Sequence, residues 1–96
     1  MRITNVRHRG LKRFIERDDE RGLPRPFVEK VRNIVSFLQD MATLDELKAM
    51  PLWRGHRLSG DQRGHWSLTV SRNWRITFAI DEKEGEITDL DFEDYH

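Results

Sequence analysis

The sequence predicts an α+β fold, helices first and a mainly antiparallel sheet after them. Two observations carry this. Apolar residues recur at helical spacing as far as Leu47 and switch to alternation after Pro51. The alternating stretches are joined by turn-type segments, Ser71-Arg72-Asn73 and Asp81-Glu82-Lys83-Glu84-Gly85, which fold the chain straight back on itself. With 96 residues and no repeat, low-complexity tract or linker, residues 1–96 are expected to form one domain.

Each element has its own local reason. Ile3 and Val6 among polar neighbours predict a short strand within residues 2–7. From Gly10, Leu11, Phe14 and Ile15 share one helical face, with Lys12, Arg13, Glu16 and Arg17 opposite. The segment Arg21-Gly22-Leu23-Pro24-Arg25-Pro26 ends that helix, and Pro26 suits the first turn of the next, where its missing N–H costs nothing. Phe27, Val31, Ile34, Val35, Leu38 and Met41 or Ala42 then repeat at helical spacing, the clearest helix in the chain. Thr43 with Glu46 reads as a capping box for a further turn through Leu47, and Pro51 closes it. Beyond, Trp66, Leu68 and Val70 alternate with Ser67, Thr69 and Ser71, and Trp74, Ile76, Phe78 and Ile80 with Arg75, Thr77 and Ala79. Ile87, Leu90 and Phe92 predict a last strand. The expected architecture is two or three helices on one face of a sheet of about four strands. The apolar set packs beneath the helices, and Ser67, Thr69, Arg75 and Thr77 point to an open face.

Charge is abundant and unevenly placed. Lys and Arg number 17, Asp and Glu 17, and charged residues make up 35% of the chain against about 25% in an average domain. The zero sum is a cancellation between segments: residues 1–33 carry net +5, 34–50 net −2, 51–78 net +4 and 79–96 net −7. That asymmetry fits a polyanion-facing surface bordered by an acidic last hairpin, with a solvated helix face as the competing reading of the N-terminal part. No apolar run approaches the roughly 20 residues that span a bilayer, and the basic start is followed by no apolar stretch of the secretory type. No membrane partner is expected. Cysteine is absent, which excludes disulfides and thiolate metal sites and makes a reducing cytoplasm the expected compartment.

Metal chemistry finds no pattern here: His8, His56, His65 and His96 lack ligand spacing, and the acidic end lacks the layout of a calcium loop. Asp89 and Asp91 read instead as a solvated edge strand. Gly55, Gly60 and Gly64 lead into no phosphate loop. Metal-free phosphodiester cleavage asks for a base on the 2′-OH, an acid for the leaving 5′-oxygen and a cation on the phosphate. Histidine suits the first two roles and arginine the third. The stretch Trp53 to His65 and the ending Asp94-Tyr95-His96 contain those residue types.

Four segments in order along the chain carry a resemblance: Val6-Arg7-His8-Arg9-Gly10-Leu11-Lys12-Arg13-Phe14; Leu58-Ser59-Gly60-Asp61 with Gly64-His65-Trp66-Ser67; Asn73-Trp74-Arg75-Ile76-Thr77-Phe78; and Glu93-Asp94-Tyr95-His96. Together they resemble the HigB-type branch of the RelE/ParE toxin superfamily, the plasmid maintenance killer proteins. Asn-Trp-Arg-Ile-x-Phe is shared by branches that do not cut RNA and speaks to fold; the ending and the His-x-Leu-x-Gly-Asp loop speak for this branch.

The resemblance implies a RelE-like fold and a type II toxin that cuts mRNA on the ribosome without a metal or other cofactor. It also implies a helix-turn-helix, HigA-like antitoxin, with operator DNA reached only through that complex. By position, His56 and His96 are the acid/base pair, Asp94 orients a histidine, Tyr95 positions or stacks, and Arg75 holds the scissile phosphate. The products would be a 2′,3′-cyclic phosphate or its 3′-phosphate, and a 5′-hydroxyl. Arg7, Arg9, Lys12, Arg13, Arg57 and Arg63 are the expected RNA or ribosome contacts. Where family members carry Leu-Lys-Gly-Asp-Arg, this chain has Leu58-Ser59-Gly60-Asp61-Gln62-Arg63. The lost lysine motivates an alternative, a catalytically weak protein of the same fold acting through its antitoxin. Gyrase inhibition, as in ParE relatives, is a third reading, disfavoured by the Asp94-Tyr95-His96 ending. His65 stands where an aromatic is common and suits stacking or a structural role.

Overall fold

The computed structural model describes residues 1–58 and 64–94. Its elements are β1 (Arg2–Ile3), α1 (Arg9–Arg17), a 3-10 turn (Arg25–Phe27), α2 (Val28–Asp40), α3 (Leu44–Lys48), β2 (His56–Arg57), β3 (His65–Thr69), β4 (Trp74–Asp81) and β5 (Glu86–Asp94). The strands form one sheet in the order β1-β5-β4-β3-β2, antiparallel except where β1 runs parallel to β5. The α+β reading holds. The sheet has five strands rather than about four, because His56–Arg57 adds to the edge of β3. Two residues are too few to show alternation in a sequence.

Helix α1 buries Leu11 and Phe14, and it starts on an unexpected cap: Nδ1 of His8 accepts the Leu11 N–H at 3.0 Å. At its other end Asp18 adopts the left-handed conformation (φ 54°), and the Asp18 and Asp19 N–H groups close on the Phe14 and Arg13 carbonyls. In α2, Val31, Ile34 and Leu38 face a core completed by Leu11, Leu68, Ile76, Phe78, Ile87 and Leu90, all fully buried. The C-terminal end of α2 is closed from outside the helix. The Met1 ammonium donates to the carbonyls of Leu38 and Gln39 at 3.0 Å and also to that of Met41, a cation where the helix dipole favours one.

The spacing of Ile87, Leu90 and Phe92, three and then two, is explained by a β-bulge. Thr77 opposes Asp91 but Ala79 opposes Thr88, so Asp89 and Leu90 share the place opposite Phe78. The extra residue resets the alternation and lets Ile87, Leu90 and Phe92 all enter the core. Asp89 takes the positive φ (53°), and Asn5 clamps it: the Asn5 side-chain oxygen accepts the Asp89 N–H at 2.7 Å and its main-chain oxygen accepts the Leu90 N–H at 3.1 Å.

Two expectations are corrected. β5 is not an edge strand, because β1 covers it through register pairs Arg2–Glu86 and Ile3–Ile87. Ser67 and Thr77 lie on the face away from the core helices as the alternation requires, yet they are 0% and 5% exposed. Central position in a five-stranded sheet, with side chains crowding from both neighbouring strands, buries them.

Candidate functional site

The sheet's register sorts the expected site residues by face. Directly opposed residues of antiparallel strands point to the same side. His56, Ser67, Thr77 and Asp91 therefore make one row across β2, β3, β4 and β5, and Thr69, Arg75 and Glu93 make the next. His56 and Arg75 thus share the face opposite the helices. Asp94 opposes Trp74, which stacks on Phe92 at 4.6 Å between ring centroids, so Asp94 belongs to the helix-side register at the end of that pair. Tyr95, His96 and Arg63 lie outside the described residues.

His56 follows a turn in which Arg54 takes a positive φ (49°). Its exposed ring sets Nδ1 3.3 Å from the Arg54 carbonyl oxygen. A carbonyl only accepts, so in this contact Nδ1–H is the donor. Arg75 folds one guanidinium nitrogen onto the hairpin it leaves: Nη1 donates to the carbonyls of Ser71, Trp74 (3.1 Å) and Arg72 (3.3 Å). Those bonds fix the position of a permanent cation on the sheet face.

The acidic last hairpin lies beside the basic residues of this face. Asp91 and Glu93 stand in the same two rows as His56 and Arg75. Both are occupied within the sheet: Thr77 donates its hydroxyl to Glu93 Oε2, and Asp91 Oδ1 accepts the Phe92 N–H at 2.9 Å. Among the described residues, the buried side-chain atom with no hydrogen-bond partner is Oγ of Ser67. Leaving such a group unpaired costs about 1–3 kcal/mol, so its presence asks for a reason.

The other expected RNA-binding residues are spread over the molecule. Arg9, Lys12 and Arg13, with Glu16 and Arg17, line an open groove of about 290 Å³ along α1. Arg7 is exposed, its N–H bonded to the Leu90 carbonyl at 2.7 Å. Arg57 opposes Trp66 and lies 5.7 Å from its ring centroid, on the helix side of the sheet and away from the His56 row. His65, on the same face as Ser67, has Nε2 3.8 Å from Asp89 Oδ2, reaching past the small Ala79 that opposes it. Among the described residues no three His, Asp or Glu side chains come together to hold a metal ion, and no helix is long and apolar enough to cross a membrane.

Sequence reasoning missed the His8 cap and the Ser67–Thr77–Glu93 grouping. The odd spacing of Ile87 and Leu90 was the available signal for the bulge that sets which β5 carboxylates reach this face.

Comparisons with known proteins bear on the family and the fold. Endoribonuclease HigB of Proteus vulgaris is 34% identical over 94 residues, 98% of this chain and 99% of that protein. YafQ of Escherichia coli BL21(DE3) superposes with a TM-score of 0.59 at 11% identity, over 97% of this chain and 89% of that one. A YoeB/ParE toxin of Agrobacterium tumefaciens gives a TM-score of 0.59 at 16% identity, over 100% and 99% of the two chains. At such identities the two structures speak for the fold alone. Residues 4–96 match the family model described as RelE-like toxin of type II toxin-antitoxin system HigB, and with a curated HigB relative matched end to end, the chain belongs to the HigB-like toxin family.

Proposed function

We propose that this chain is the toxin of a type II pair and a metal-independent endoribonuclease that cuts mRNA on translating ribosomes. The observation that supports it best is the shared sheet face of His56 and Arg75, in a chain 34% identical to Endoribonuclease HigB. His56 and His96 divide the base and acid roles, one taking the 2′-OH proton and the other supplying a proton to the departing 5′-oxygen. Arg75, always charged, holds the phosphate as negative charge builds on it. Asp94 orients a histidine, Tyr95 positions or stacks on a base, and Arg57, Arg63 and the cations of α1 meet RNA phosphates. The 2′-oxygen attacks phosphorus as the bond to the 5′-oxygen breaks, leaving a 2′,3′-cyclic phosphate or its hydrolysed 3′-phosphate and a 5′-hydroxyl. The partner that silences it in the cytoplasm is a helix-turn-helix, HigA-like antitoxin, through which alone it reaches operator DNA.

Induced expression followed by mapping of mRNA 5′ ends tests this. The expected result is growth arrest with new ends that a kinase labels directly, and loss of both in His56→Ala and His96→Ala. Unchanged growth and intact mRNA, identical in the variants, would instead support the catalytically weak reading that Ser59 in place of the family lysine suggests. DNA damage with intact mRNA would mean gyrase inhibition.

A further inference from the structure

We propose that Ser67, Thr77 and Glu93 form a positioning relay that runs across the sheet from His56 and fixes its imidazole for proton transfer; this deepens the reading above and rests on it. His56 and Ser67 are directly opposed on β2 and β3, and Ser67 and Thr77 on β3 and β4, so the three side chains stand in one cross-strand row. The far end is already assembled: Thr77 gives its hydroxyl proton to Glu93 and keeps lone pairs as acceptors. Asp91, the remaining member of the row, is turned to the Phe92 N–H and does not compete. The near end is loosely held, because the approach of His56 to the Arg54 carbonyl, at 3.3 Å, lies beyond the ordinary range for such a bond.

Ser67 sits between these ends, 0% exposed, its hydroxyl without a partner among the described residues. So deep a hydroxyl does not meet RNA; it acts through a neighbour. Rotation of the exposed His56 ring over the sheet, together with a change of rotamer at Ser67, whose hydroxyl does not yet bond Thr77, lets the ring N–H donate to Ser67 Oγ and Ser67 donate to Thr77 Oγ1, while Thr77 already donates to Glu93. Every donor is then used once and the chain ends on a carboxylate, which polarises the links before it. One ring nitrogen is pinned and the other is presented to the RNA. The relay moves no proton of its own; it orients.

Ser67→Ala and Thr77→Val each delete one hydroxyl at nearly constant volume, and Thr77→Ser retains it. Three quantities are measured: single-turnover cleavage on mRNA-programmed ribosomes, thermal midpoint, and the pH titration of the His56 ring by nitrogen-15 NMR. Ser67→Ala is expected to slow cleavage about 10- to 100-fold at unchanged ribosome affinity. Its thermal midpoint should equal or exceed that of the parent, and the His56 titration should move. Thr77→Ser should keep the rate that Thr77→Val loses. A fully active Ser67→Ala beside an inactive His56→Ala overturns the relay alone, as does activity lost only in proportion to a lowered midpoint. A fully active His56→Ala overturns the assignment of His56 and the relay with it.

Discussion

Single residues here are judged by what their backbone touches as much as by their side chains. Gly10 opens the first buried turn of α1, and a Cβ built on it would lie 2.2 Å from the Gly22 carbonyl oxygen, a main-chain atom with no rotamer to yield. Helix propensity alone says that Gly10→Ala gains about 1 kcal/mol. Overpacking against backbone costs about 1–3 kcal/mol, and that term wins. Gly10→Ala is expected to lower the thermal midpoint by several degrees, roughly 4–8 °C per kcal/mol for a domain of this size. A raised midpoint would show that the loop carrying Gly22 moves aside freely. His8 follows the same lesson: beside a helix start it reads as a solvated histidine, and only the structure shows its Nδ1 as the cap and its ring edge-on to Phe92 at 5.6 Å.

Among the elements, α3 is the one whose beginning the sequence specifies most fully. Glu46 reaches back to the N–H groups of Ala42 (2.6 Å) and Thr43 (2.8 Å), the carboxylate half of the capping box that Thr43 and Glu46 predict. Those backbone bonds, Thr43 first and then Ala42, hold its carboxyl below the usual carboxylate range. The folded state therefore stays ionised at pH values where the unfolded chain has begun to take up a proton. The contribution is fully present above the unfolded value, about 4.3, and is lost as pH falls through the lower folded one. Glu46→Gln should lose less of its thermal midpoint than the parent between about pH 6 and pH 3. Parallel curves for the two proteins would show that the cap carries no proton linkage. β5 shows the opposite case: its strand character is legible, but the register that brings Asp91 and Glu93 to the His56 face depends on a bulge clamped by Asn5, distant in sequence.

At the scale of the whole molecule, positive charge is carried on two separate surfaces. Arg75 occupies the sheet face beside Asp91 and Glu93, whereas Arg9, Lys12 and Arg13 line a groove of α1 with Arg17 and the single acid Glu16. The first arrangement suits local chemistry and the second suits phosphate attraction at longer range. Reversing Arg9, Lys12 and Arg13 together to Glu should weaken ribosome association and make its dependence on log salt shallower, by about 0.7–0.9 for each phosphate no longer neutralised. The thermal midpoint should hardly change, since all three side chains are exposed. Unaltered binding and salt slope would show that α1 faces away from the ribosome.

The sequence by itself determined the class of the fold and its helices, because period, capping box and turn residues are local properties that act within a few residues. It also supplied His56 and Arg75, whose residue types suit phosphodiester chemistry. Only the tertiary structure decided which side chains share a face. The pairing of His56–Arg57 with β3 and the cover of β5 by β1 are long-range pairings that leave no periodic trace in the chain, and the bulge at Asp89 leaves only the odd spacing of Ile87 and Leu90. Those pairings put Ser67 and Thr77 in one row with His56, put Glu93 beside Arg75 in the next, and set Arg57 and Asp94 on the opposite register.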